Sequence, residues 1–205
     1  GESVALLKRY MKLQPGDSRI VEVNRLASLS ELMAGRYSQA LSFCTDDNDE
    51  TLLFVKAMAN DNLGEKAAAS KAAKEYIEKF PQGANLQSIN LLIARTEFDE
   101  AVKTKDTAKI LESSRRAALL PGSGAADKLR YAWALEAAGK IQEAEENYAA
   151  VSRDFPGSHD AAEATYRRAM SLLRREKWQA AELSLAEALS TGKLTNERKA
   201  LARYW

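Results

Sequence analysis

Tyr76-Ile77-Glu78-Lys79-Phe80-Pro81-Gln82-Gly83 and Val151-Ser152-Arg153-Asp154-Phe155-Pro156-Gly157-Ser158 are two versions of one phrase. Each closes an amphipathic run with an aromatic residue, a proline and a glycine. Proline lacks the amide that would continue a helix and clashes with the preceding turn. Glycine tolerates the left-handed conformation that ends one. All four prolines of the chain have a glycine within two residues: Pro15-Gly16, Pro81 with Gly83, Pro121-Gly122 and Pro156-Gly157. A stop signal that recurs at a near-regular interval points to a repeat array.

The runs before these stops share a register. Ile141, Ala144, Tyr148, Val151 and Phe155 step by three and four, the apolar stripe of a helix. Lys66, Ala69, Ala73, Tyr76 and Phe80 take the same steps, as do Trp178, Ala181, Leu185 and Ala188. Thr107, Ile110, Ser114 and Ala117 follow them more weakly, and Tyr37, Ala40 and Cys44 begin a copy that ends early in Asp46-Asp47-Asn48-Asp49. The stripes start at 37, 66, 107, 141 and 178, so the intervals are 29, 41, 34 and 37 residues. The short interval predicts a curtailed helix near Cys44, and the long one an extended helix across 85–103.

Two further places recur. Nine residues before each origin stand Ser28, Ala57, Phe98, Ala132 and Ala169; three after it stand Ala40, Ala69, Ile110, Ala144 and Ala181. Small residues at both places let two helices of a hairpin approach closely. Two residues before the origin, Gly35, Gly64 and Gly139 mark the turn between the helices. Period-two alternation never persists, so no strand is expected.

This pattern resembles the tetratricopeptide repeat, a helix–turn–helix unit of roughly 34 residues. The resemblance covers nearly the whole chain and is best over Ala125–Ser158, with Ala132, Gly139, Ala144, Tyr148 and Pro156 at signature places. It departs at Phe98 and Ile110, which are large where small residues are expected. The fold class it implies is all-α: a right-handed superhelical solenoid of antiparallel helix hairpins. Residues 1–205 read as one array with repeats 17–48, 49–83, 84–123, 124–158 and 159–194 and partial units 1–16 and 195–205. Gly1 reads as a cleavage scar and the last residues as a helix cut short, the expectation being a piece of a longer protein.

The resemblance also implies where a partner lies. First helices of such pairs line the concave face, and the positions twelve and eight before each origin project inward. Those include Phe54 and Met58, Trp133, and Tyr166 and Met170, with Arg130 and Arg167 beside them. These seven residues are the expected partner-binding set, for an extended peptide or a helix of another protein. Family members that grip a carboxylate terminus with an asparagine- and lysine-based clamp need asparagine where Leu29 and Val55 stand, so that clamp is not expected.

Catalytic chemistry has little to draw on. His159 is the one histidine and Cys44 the one cysteine, too few for the usual metal sites or nucleophile–base pairs. Cys44 falls on an apolar stripe and reads as a small core residue. Gly122-Ser123-Gly124 lacks the lysine of a phosphate loop, and Asp46–Glu50 lacks the glycine of a calcium loop. No enzyme activity, cofactor or metal is expected. Lys plus Arg total 30 and Asp plus Glu 29, a net charge of +1, which argues against nucleic acid as partner. The charge is uneven: residues 164–205 hold nine basic and four acidic side chains. No run is long and apolar enough for this segment to insert in a membrane.

The phrase from Asp154 to Tyr166, an aromatic-Pro-x-Ser followed by an alanine-rich helix with tyrosine, is similar to that of bacterial envelope members of the family. The function implied is a non-catalytic interaction scaffold in a bacterial periplasmic or envelope assembly. Two alternatives are a helical accessory solenoid of a larger enzyme such as a soluble lytic transglycosylase, and a cytosolic adaptor.

Overall fold

A computed structural model describes residues 2–14 and 17–205. Gly1 and the Pro15-Gly16 stop lie outside the described residues. The described residues form twelve helices and no strand. They are α1 (Glu2–Leu13), α2 (Ile20–Met33), α3 (Tyr37–Leu41), α4 (Glu50–Asn62), α5 (Lys66–Lys79), α6 (Leu86–Thr104), α7 (Thr107–Leu119), α8 (Ala125–Ala137), α9 (Ile141–Asp154), α10 (His159–Arg174), α11 (Trp178–Ser190) and α12 (Asn196–Tyr204). The chain divides into two compact units, residues 1–96 and 97–205, with the division inside α6.

The stripe origins Tyr37, Lys66, Thr107, Ile141 and Trp178 are the first residues of α3, α5, α7, α9 and α11. The physical reason sits two residues earlier. Gly35, Gly64 and Gly139 have φ of 71°, 81° and 76°, left-handed values that only glycine takes without steric cost. Lys105 and Glu176 hold the same place in the other two copies and take φ of 56° despite their side chains. One turn geometry therefore joins the two helices of all five hairpins.

The small residues behave as the spacing requires. Ser28, Ala57, Ala132 and Ala169 on the first helices, and Ala40, Ala69, Ala144 and Ala181 on the second, have no exposed surface. With nothing beyond a Cβ or hydroxyl at the crossing, the helices close on one another and their longer neighbours fill the flanks. In the first unit, Leu53, Tyr76, Ile89 and Leu92 pack around Ala57, Ala69 and Ala73. In the second, Leu135, Tyr148 and Val151 pack around Ala132 and Ala144, while Tyr166, Leu185 and Leu194 pack around Ala162 and Ala169. Each fully buried aliphatic or aromatic side chain of this kind contributes about 1.5–3 kcal/mol.

Side-chain caps start several helices. The carboxylate of Asp49 accepts the Leu52 N–H at 3.0 Å, Asp106 accepts from Lys109 at 3.1 Å, and the Ser158 hydroxyl accepts from Ala161 at 3.0 Å. The twin phrases end their helices alike: Phe80 caps α5 with its N–H on the Tyr76 carbonyl, and Phe155 caps α9 with its N–H on the Val151 carbonyl.

The unequal intervals appear as expected. α6 runs nineteen residues and α3 only five. α3 stops at Leu41, short of Cys44, where Phe43 turns into a cluster with Ala27, Leu7 and Met11. Cys44 thus follows α3 instead of lying on it. Its thiol is half-buried beside Ala40, Val55 and Ala59, with Sγ on the Ala40 carbonyl at 3.4 Å. Burial pushes its pKa up to about 12.

Candidate functional site

In the second unit a groove of about 400 Å³ opens between α8, α10 and α12. Its lining comes only from first helices: Trp133, Glu136 and Ala137 from α8, Tyr166, Arg167, Met170 and Arg174 from α10, and Arg198 from α12. The sequence predicts this placement, since Trp133 and Met170 each stand eight residues before a stripe origin and Tyr166 stands twelve before one.

The floor and walls differ in character. Tyr166 is 2% exposed and its ring belongs to the buried cluster under the groove. The Arg198 guanidinium stacks over that ring at 4.8 Å from its centroid, a cation–π contact that also anchors α12 on α10. Trp133 and Met170 are half-buried and present the apolar walls. Trp133 is held from behind by the Phe98 ring, edge to face at 6.2 Å.

Charge in the groove is predominantly positive. Three guanidinium groups line it, Arg167, Arg174 and Arg198, with one carboxylate, Glu136. Glu163 at the edge accepts from Arg167 Nε at 2.7 Å and from Arg198 Nη2 at 3.4 Å. Glu136 accepts the Tyr148 hydroxyl at 2.7 Å on Oε2 and pairs with Arg174 through Oε1. Burial of Tyr148, and then its hydrogen bond to Glu136, raises the phenol pKa, so the hydroxyl stays a donor at ordinary pH. Three cations are thus paired with two carboxylates, and Glu197 adds a negative charge near Arg198.

Four of the seven residues expected from sequence, Trp133, Tyr166, Arg167 and Met170, meet here. Arg130 is elsewhere: its guanidinium covers the Phe98 ring at 5.5 Å and lies 3.7 Å from Asp127. Phe54 and Met58 belong to the first unit, half-buried against its core. Glu136, Arg174 and Arg198 complete the groove without having been expected. For Arg174 a signal exists, since it follows Met170 by four residues and so shares its helix face.

Other polar features serve the fold. His159 opens α10 and its Nδ1 meets the Lys193 carbonyl at 3.0 Å. In the acidic stretch, Asp49 pairs with Arg25 as well as capping α4, and Asp47 pairs with Lys56 at 2.7 Å. Among the described residues no group of three or more His, Cys, Asp or Glu could hold a metal ion, and no helix is long and apolar enough to cross a membrane.

No protein-family model matches the chain, and no curated protein matches it by sequence. Solved structures do match. YrrB, described as a TPR protein with an unusual peptide-binding site, superposes with a TM-score of 0.65 at 15% identity, over 97% of this chain and 98% of its own. MamA AMB-1 gives 0.64 at 17% identity, over 90% and 98%. MamA from Desulfovibrio magneticus RS-1 gives 0.62 at 13%, over 86% and 97%. At these identities the likeness speaks to fold, and the fold of this chain is that of the tetratricopeptide-repeat proteins.

Proposed function

We propose that this chain is a non-catalytic interaction scaffold that holds a segment of a partner protein in the groove between α8, α10 and α12. One observation carries the reading: first helices alone build a preformed groove in which half-buried Trp133 and Met170 stand beside three arginines. Tryptophan, methionine and arginine are the side chains enriched where proteins bind proteins. A groove held in shape by its own packing binds at low ordering cost. YrrB, which shares the fold, is described as having a peptide-binding site, and that analogy supports the same kind of ligand.

The compartment we assign is the bacterial envelope, on the resemblance of the Asp154–Tyr166 phrase. Recovery of the native protein in the periplasmic fraction of its host is the expected result; recovery in the cytosol would reverse the assignment.

The binding role is tested by selecting peptides from a displayed random library on the intact chain, then measuring affinity and melting for Trp133→Ala and Met170→Ala. Trp133→Ala should weaken binding by about 2 kcal/mol or more, and Met170→Ala by about 1 kcal/mol, both measured below the onset of melting because Met170 also packs against the Tyr166 cluster. Selected peptides that bind both variants like the parent would place the site elsewhere.

A further inference from the structure

Met170 and Arg174 do not only close the groove. They also line a second cavity of about 410 Å³, whose other walls are Leu173, Trp178 and Trp205. The two cavities therefore share a wall, yet their chemistry differs. The first carries three guanidinium groups; the second carries four apolar side chains and Arg174 as its one charged side chain. Trp178 is 58% exposed and Trp205 65% exposed. Single exposed apolar residues are ordinary, but two tryptophans around one apolar hollow make a contiguous patch of the sort that a partner covers.

We propose that the two cavities are one bipartite site for a partner segment in which acidic residues adjoin a large apolar side chain. The carboxylates would meet Arg167, Arg174 and Arg198, and the apolar side chain would enter between Trp178 and Trp205. This deepens the function proposed above and rests on it. The acidic half follows from charge complementarity: Arg167 and Arg198 share the single carboxylate of Glu163, so the cations of the first cavity outnumber the acids that hold them. The surroundings add to it, since residues 164–205 hold nine basic and four acidic side chains. Opposite charge steers encounter and fixes which way a segment lies. The apolar half supplies the desolvated anchor in which binding energy concentrates. Arg174 stands between the halves, 65% exposed at its side chain and paired with Glu136, so it reaches a ligand in either cavity.

The test uses fluorescein-labelled synthetic peptides and the intact chain. One probe has a block of glutamates next to a leucine and a phenylalanine, made in both orders. One control replaces the glutamates by glutamine, the other replaces the leucine and phenylalanine by serine. The probe should bind about tenfold tighter than either control in at least one order. Arg174→Gln should reduce the advantage over the glutamine control, and Arg174→Gln with Arg198→Gln should abolish it. Trp178→Ala with Trp205→Ala should abolish the advantage over the serine control, without lowering the melting temperature, because both rings are largely exposed. Equal binding of probe and controls, all weakened by Trp133→Ala, would overturn the bipartite site and leave the groove standing. Binding of every peptide unchanged by Trp133→Ala would remove both. Sedimentation as a dimer that Trp178→Ala dissociates would show that a second copy covers the apolar cavity, and would also overturn the proposal.

Discussion

The hydroxyl of Tyr148, a side chain with no exposed surface, donates to Glu136 Oε2 at 2.7 Å. It ties the core of the second unit to the one carboxylate that lines the groove, whose other oxygen holds Arg174. Tyr148→Phe keeps the packing and removes the hydrogen bond to a charged acceptor. It should cost about 1.5 kcal/mol, a drop of about 3–6 °C in the thermal midpoint. An unchanged midpoint would mean that the hydroxyl has no stake in Glu136.

Lys105 and Glu176 occupy a left-handed conformation that glycine fills in the three sister turns. A side chain there costs roughly 1–2 kcal/mol through its Cβ, against about 0.5–1 kcal/mol that glycine gives up in chain entropy. Lys105→Gly and Glu176→Gly should therefore each stabilise the chain by about 0.5–1 kcal/mol in chemical denaturation. Two destabilised variants would show that the side chains repay the strain through contacts of their own.

Gly83 is a glycine for a different reason, close approach. A Cβ added there would collide with the Tyr76 hydroxyl and lie 2.8 Å from Glu50 Oε1. Those two atoms are already bonded at 2.6 Å, and Glu50 also accepts the Ala84 N–H at 2.7 Å. Gly83→Ala should destabilise by about 2 kcal/mol. Pairing it with Tyr76→Phe should cost less than the sum of the two single changes, since the colliding oxygen is then gone. Strict additivity in a double-mutant cycle would speak against the collision.

Cys44 should react slowly with thiol reagents at neutral pH, because burial lifts its pKa from 9.0 to about 12. The sign of its effect on stability follows. Between pH 9 and about 12 the unfolded chain releases the thiol proton while the native chain keeps it. The unfolded state then binds fewer protons, so stability falls as pH rises through that window. Cys44→Ala should flatten this alkaline decline; an identical decline in the variant would assign it to other groups.

The hairpins were legible because their physics is periodic. A stripe stepping by three and four fixes a helix face, a small residue at a fixed offset fixes a crossing, and the turn two residues before each stripe fixes its start. At Lys105 and Glu176 the composition hides a turn that the spacing still finds. The groove was legible in part. Trp133, Tyr166 and Met170 were reached by counting from the stripe, and Arg167 as the neighbour of Tyr166. Arg130 was named in the same way, as lying beside a counted position, and it lies over Phe98 instead. The reason is local: Phe98 is large where its counterparts are small, and its ring collects both the Arg130 guanidinium and the Trp133 edge. Periodicity says which face a residue takes, not which neighbour it finds there. Arg198 escaped because the counting starts from a stripe and residues 195–205 read only as a partial unit.

The chain has three tryptophans, Trp133, Trp178 and Trp205, and the first lines the groove while the other two line the adjoining cavity. Each gives one indole N–H signal in a spectrum of nitrogen-15-labelled protein, so titration with a library-selected peptide reads the site directly. The Trp133 signal should move saturably, with the same midpoint as the binding isotherm, and Met170→Ala should shift that midpoint to higher peptide concentration. A selected peptide that binds while the Trp133 signal stays still would contradict the proposed site.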